Sequence, residues 1–193
     1  MSQEVEIEFK NLLTKEEYFS LLNYFKVNES LFTFQENHYF DTNNFALKDK
    51  QSALRIRSKQ NAYTLTLKTP LEEGLLETNQ TLQKKEAEAL LNDGVFPFGE
   101  VNDTLQSLGI PTKQLHYFGT LTTKRAQIEY KNGLLVFDAS FYMNVEDYEL
   151  EYEVKDYDAG QKRFLSLLEE RNIPTRKTEN KVKRFYNAKL RQQ

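Results

Sequence analysis

Residues 4–10 read Glu-Val-Glu-Ile-Glu-Phe-Lys, and residues 148–155 read Tyr-Glu-Leu-Glu-Tyr-Glu-Val-Lys. Charged and apolar residues alternate in both, the period of two that sends successive side chains to opposite faces of a β-strand. Val5, Ile7 and Phe9 share one face, and Glu4, Glu6, Glu8 and Lys10 the other. Residues 34–42, 53–59, 62–69, 118–130 and 133–142 are similar, rich in Phe, Tyr, Thr, Val, Ile and Leu. Gln60-Asn61 separates two of these strands, and Asn132-Gly133 predicts a hairpin between 118–131 and 134–142. Strands joined by such short turns pair antiparallel.

Helical patterns interrupt the strands. Thr14-Lys-Glu-Glu17 is a capping box opening a helix through Tyr18, Leu21, Leu22 and Phe25. Further helices are predicted over 80–92, ended by Gly94, and over 101–108, ended by Gly109 and Pro111. Another spans 159–171 under an Asp158 cap, and the last covers 180–190, with Val182, Phe185, Tyr186 and Leu190 at helical spacing. The class is α+β: antiparallel strands with helices packed outside them. At 193 residues, with no Pro/Gly/Ser-rich linker, the chain reads as a single domain over 1–193.

Composition narrows the chemistry. There is no cysteine, which removes disulfides, thiolate zinc sites and a cysteine nucleophile, and fits a reducing compartment. The acidic N-terminus is not a secretory leader, and no run approaches the roughly 20 apolar residues of a membrane span. A cytoplasmic protein without a membrane partner is expected. No glycine-rich phosphate loop is present, so a Walker-type nucleotide site is excluded by pattern. A net charge of −3 and the acidic strands would repel a nucleic-acid duplex.

The charged faces carry the functional signal. A solvated strand face usually mixes signs, because like charges in line repel. Here Glu4, Glu6 and Glu8, and again Glu149, Glu151 and Glu153, are acidic in line, while Arg55 and Arg57 are basic in line. Such segregation makes sense if these faces converge on the interior of a closed or nearly closed barrel, with the apolar faces outside under helices. An interior of this kind is costly unless its charges are paired or bind a ligand. Glu6, Glu8, Glu149 and Glu151 set against Lys10, Arg55, Arg57, Lys68, Arg125 and Lys181 suit a highly anionic ligand with a divalent cation. Arg and Lys match phosphate oxygens, and carboxylates match Mg²⁺ or Mn²⁺. His38 and His116 fall outside the alternating set.

Glu6-Ile-Glu8-Phe-Lys10 resembles the Glu-x-Glu-x-Lys signature of the CYTH superfamily, the triphosphate tunnel metalloenzymes. Further segments follow in the family's order: Tyr39-Phe-Asp-Thr42, Leu54-Arg55-Ile-Arg57, Leu65-Thr66-Leu-Lys68, Lys124-Arg125, Asp138, Glu149-Leu-Glu151-Tyr-Glu153, and Asn180-Lys181 with Arg184-Phe185. The match spans residues 4 to 185 and is most similar to the small bacterial, YjbK-like single-domain branch. One departure stands out: the family's second basic position on the strand before Asp138 is Thr123, and Lys124 has the other parity.

The resemblance implies an antiparallel eight-stranded β-barrel, a triphosphate tunnel, that binds a triphosphate-containing small molecule and Mg²⁺ or Mn²⁺. Glu6 and Glu8 would be metal ligands, with Glu149 and Glu151 the opposing acidic pair that also positions and deprotonates water. Lys10, Arg55, Arg57, Lys68, Arg125 and Lys181 would hold phosphate oxygens, Lys181 also serving catalysis, and Asp138 would orient a basic side chain or a water. The expected function is hydrolysis of inorganic triphosphate, because no base-recognition element is evident. A class IV-type adenylate cyclase, an organic (thiamine or nucleoside) triphosphatase and a non-catalytic polyphosphate or nucleotide binder are the competing readings, and a homodimer stays open.

Overall fold

The apolar side of each alternating strand becomes core, and helices cover it. The computed structural model describes residues 2–191. The chain begins with β1 (Ser2–Leu13), α1 (Lys15–Tyr24), β2 (Thr33–Thr42) and the short α2 (Ala46–Asp49). It continues through β3 (Ala53–Lys59), β4 (Ala62–Pro70), β5 (Leu75–Leu82), α3 (Lys84–Asp93) and α4 (Glu100–Ser107). The last third is β6 (Leu115–Tyr130), β7 (Gly133–Tyr142), β8 (Val145–Val154), α5 (Tyr157–Glu170) and α6 (Lys181–Leu190). The eight strands close a barrel in the order β1-β5-β4-β3-β2-β6-β7-β8. Closure removes the unpaired edges an open sheet would expose. Among the described residues no helix is long and apolar enough to cross a membrane.

The chain divides into two compact units, one of residues up to Val5 with Gln35–Leu121, the other of Glu6–Phe34 with Thr122 onward. The first has its own apolar core, in which Phe40, Leu54, Ile56, Leu65 and Leu67 of the strands meet Ala87, Leu90, Val101 and Leu105 of α3 and α4. In the second, Phe137, Leu150 and Tyr152 meet Tyr18 and Leu21 of α1 and Phe164, Leu167 and Leu168 of α5. Phe9 lies edge-on to Tyr157 and stacks near Phe164, which fixes the parity of β1: its odd residues face α5 and its even, charged residues face away. Tyr18, Phe137, Tyr152 and Phe164 are thus core beneath helices, whereas Phe19, Tyr24, Phe34, Phe98 and Tyr117 are exposed.

Three local expectations shift. The stretch 80–92 is not helical throughout, since residues 80–82 end β5, a strand without an alternating signal, and α3 starts at Lys84. Helix α5 starts earlier than predicted, because Asp156 rather than Asp158 caps it, accepting from the Ala159 N–H at 2.9 Å. The β6–β7 turn is Lys131-Asn132, both left-handed at φ 43° and 64°, and Gly133 already pairs with Tyr130. A side chain at Gly133 would meet the Tyr152 ring at 2.5 Å and the Glu153 carbonyl at 2.7 Å, so this glycine serves a close approach inside the sheet. Gln60-Asn61 does form a two-residue left-handed turn between β3 and β4.

Candidate active site

In the second unit, β8 lies between β7 and β1, and its even-spaced acids share a face with their cross-strand partners. Glu149 is opposite Asp138 and Leu12, Glu151 opposite Val136 and Lys10, and Glu153 opposite Leu134 and Glu8. The two acidic strands are therefore neighbours in the ladder rather than opposing walls. Asp138 is fully buried, and Glu149 and Glu151 nearly so. Buried carboxylates need partners, and α6 supplies them. Lys181, its first residue, donates from Nζ to Asp138 Oδ2 at 2.6 Å, Glu149 Oε1 at 2.8 Å and Glu151 Oε1 at 2.6 Å.

Arg125 on β6 completes the cluster. It grips Asp138 with two donors, at 2.7 and 2.6 Å, and reaches Glu151 Oε2 at 2.8 Å. This forked pairing is the strong form of a charge-assisted bond. Arg184, one turn along α6, pairs with Asp147 at 3.0 Å and with Glu149 Oε2 at 2.6 Å. Lys10 pairs with Glu8. Asp138 thus bonds two basic side chains, Arg125 and Lys181. Lys124, of the other parity, turns away: its ammonium sits 4.7 Å from the Phe32 ring centre and 2.5 Å from Glu29.

The electrostatics follow from burial set against pairing. Burial alone would lower Lys181, Arg125 and Lys10, yet all three are raised, Lys181 and Arg125 well above their usual ranges, by the carboxylates around them. Of the adjacent acids, Glu149 is pushed up, burial foremost with the Glu151 charge added against Lys181 and Arg184. Glu151 is held well down, because Lys181 and Arg125 overcome its burial. Glu153 rises to about 7, through burial and the charges of Glu151, Glu6 and Glu8 against Arg125. The acids Glu8, Asp138, Asp147, Glu149, Glu151 and Glu153 of this face outnumber Lys10 and Arg125 beside them and Lys181 and Arg184 of α6.

The first unit has the opposite balance. Arg55 and Arg57 on β3 share a face with Thr66 and Thr64 of β4, and Lys68 follows two residues on. Arg57 Nε donates to Asn37 Oδ1 at 3.2 Å. Glu77 on β5, directly across from Lys68, is the acid that the sequence reading missed. Lys68 Nζ is 2.5 Å and Arg55 Nη2 3.8 Å from Glu77 Oε1. Burial would raise the Glu77 carboxyl, but these two cations lower it to about 2. No local pattern marks Glu77: only the register of β5 with β4 sets it across from Lys68, where opposite charges stabilise each other. His38 lies outside both groups, bonded through Nδ1 to Thr120 Oγ1 at 2.7 Å, and His116 is exposed.

Among the described residues no three acidic or histidine side chains form a preformed metal cage. The donor set nonetheless suits a hard divalent ion, being all oxygen and in acidic excess. Mg²⁺ in particular is commonly held by one or two carboxylates plus substrate phosphates rather than by a protein cage.

A family model for the CYTH domain matches residues 4–186. The Bacillus subtilis (strain 168) protein YjbK, whose name carries a provisional triphosphatase assignment, is 50% identical over 189 residues, 98% of each chain. A crystal structure from Bacillus halodurans, of a protein described provisionally as an adenylate cyclase, is 46% identical, covers 96% of this chain and 100% of its own, and superposes with a TM-score of 0.93. HpAC1 from Hippeastrum, described as having a dominant triphosphatase activity, shares the fold at TM-score 0.79 and 21% identity, over 95% of this chain and 96% of its own. This chain belongs to the CYTH domain family.

Proposed function

We propose that this protein hydrolyses a triphosphate, with inorganic triphosphate as the first substrate and Mg²⁺ or Mn²⁺ as the metal. The observation that carries the reading is the sorting of buried charge: a cation-rich group of Arg55, Arg57 and Lys68, and an acid-rich group built on β1 and β8. Phosphate oxygens suit the first, and carboxylates that exceed their cations suit a divalent ion in the second. Glu6 and Glu8 would hold the ion together with phosphate oxygens, Glu149 and Glu151 adding ligand oxygens. Bound there, it would neutralise charge on the phosphates and polarise the reacting one.

The side chains do the rest. Arg55, Arg57, Lys68 and Lys10 bind phosphate oxygens and orient the chain for in-line attack. Arg125 and Lys181, held by Asp138, place positive charge against the transferring group as it loosens. Glu149 and Glu151 position the attacking water and take its proton as the P–O bond to the leaving diphosphate breaks, and the charge left on the diphosphate is held by Arg55, Arg57 and Lys68. The setting is the cytoplasm, in keeping with the absence of cysteine.

A second reading is nucleotide cyclisation, favoured by the description of the Bacillus halodurans relative. One assay separates the readings: phosphate release from inorganic triphosphate, ATP and thiamine triphosphate with each metal, beside cyclic AMP formation. Release should be fastest from inorganic triphosphate, and Glu8→Gln should lower it by about 100-fold or more, the scale of losing a charge-stabilising group. Cyclic AMP as the main product, or binding without turnover, would overturn the proposal.

A further inference from the structure

The helix-facing row of β1 runs Val5, Ile7, Phe9, Asn11, Leu13, and one member is out of character. Asn11 is an amide among apolar side chains, and it is fully buried. What it meets is the irregular segment 171–180 that joins α5 to α6. Asn11 Oδ1 accepts from the Arg176 N–H at 2.6 Å, and Nδ2 donates to the Pro174 carbonyl at 3.2 Å and the Leu12 carbonyl at 3.0 Å. The side chain thus acts as a short strand edge, satisfying backbone groups that an apolar residue would leave unpaired. The neighbouring backbone is used too: the Leu12 N–H donates to Thr178 Oγ1 at 2.9 Å, and Arg176 Nη1 donates to the Leu12 carbonyl at 2.8 Å. Arg176 then forks onto Glu17 of α1 with two bonds of 2.8 Å.

Five residues beyond Arg176 stands Lys181, whose ammonium bonds three carboxylates at once. A lysine side chain is long and flexible, so meeting three fixed oxygens depends on where its backbone is held. Asn180 caps α6 through the Lys183 N–H at 2.8 Å, which fixes the first turn but not its distance from β1. The bonds at Asn11 and Leu12 join the segment before it to β1. Because β1 also carries Glu8 and Lys10 on its other face, one strand sets both sides of the arrangement.

We infer that Asn11 is a positioning residue: it locks segment 174–178 against β1 and thereby holds Lys181 among Asp138, Glu149 and Glu151. Its consequence for turnover rests on the function proposed above; its consequence for the place of Lys181 does not. Two readouts test these separately. Competitive labelling of lysine amines with acetic anhydride, read by mass spectrometry, should modify Lys181 about tenfold faster in Asn11→Ala than in the parent chain, with Lys68 unchanged. Arg176→Ala, a partly exposed site that should fold in any case, should act in the same direction. For turnover, Asn11→Ala should lower kcat by about tenfold in the parent and by less than about twofold in a Lys181→Ala background, the non-additivity of residues acting through one another.

Unchanged Lys181 labelling in both variants would overturn the inference, as would equal losses of kcat in the two backgrounds. If the parent releases no phosphate from triphosphate while labelling of Lys181 still rises, the proposed function fails and the positioning role stands.

Discussion

Glu77 shows how a single residue balances the basic group. It stands across from Lys68 and beside Arg55, with its side chain 15% exposed. Its folded carboxyl titrates near 2, below the ordinary 4.5, so the stability it lends is complete above about pH 4.5 and is lost as pH falls through about 2. Glu77→Gln should therefore cost on the order of 3 kcal/mol near neutrality, the worth of a shift of that size. The gap between the two proteins should close as pH drops from about 4.5 toward 2. Denaturant melts across that range check it, and a gap independent of pH would contradict the role given to the carboxylate. Inorganic triphosphate should in turn stabilise the variant more than the parent, since it replaces the missing anion beside Lys68 and Arg55.

At the scale of elements, legibility followed polarity contrast. β1, β3 and β8 could be read because one face is charged and the other apolar. β5 could not: Glu77, Asn79 and Thr81 share one face, while Thr78 and Gln80 interrupt the other, so no period of two stands out. The eighth strand thus came only from the family resemblance. Parity alone sorted Arg125 from Lys124, and the structure places them on different faces. What parity could not supply was how α6 packs against β7 and β8, which decides that Lys181 meets Asp138 and that Arg184 meets Asp147 and Glu149. Contacts that link residues far apart in the chain leave no local pattern.

The β6–β7 hairpin makes a sharper case. Asn132-Gly133 suggests a glycine required by the turn, whereas the turn is Lys131-Asn132 and Gly133 is required by the Tyr152 ring. Gly133→Ala should consequently destabilise the protein by about 1–3 kcal/mol, the usual cost of overpacking, because the Glu153 carbonyl in its way belongs to a paired strand. Thermal melts would show it. A neutral or stabilising effect, as expected of a glycine with open space around it, would contradict the packing account.

For the molecule as a whole, the cost of burying so many ionisable groups is the central physical fact. Paired buried charges often add little to a fold relative to apolar packing, and that cost is the physical ground for the ligand proposed above. Under the proposed function, phosphate oxygens match the chemistry of the cation-rich group and a divalent ion that of the acid-rich group. The most direct measurement is a crystal structure with a non-hydrolysable triphosphate analogue and Mn²⁺. Phosphate oxygens are expected on Arg55, Arg57 and Lys68 and on Arg125 and Lys181 of the same molecule, with Mn²⁺ on Glu6 or Glu8. An analogue bound by only one of the two groups, or a metal away from those glutamates, would contradict the proposed function.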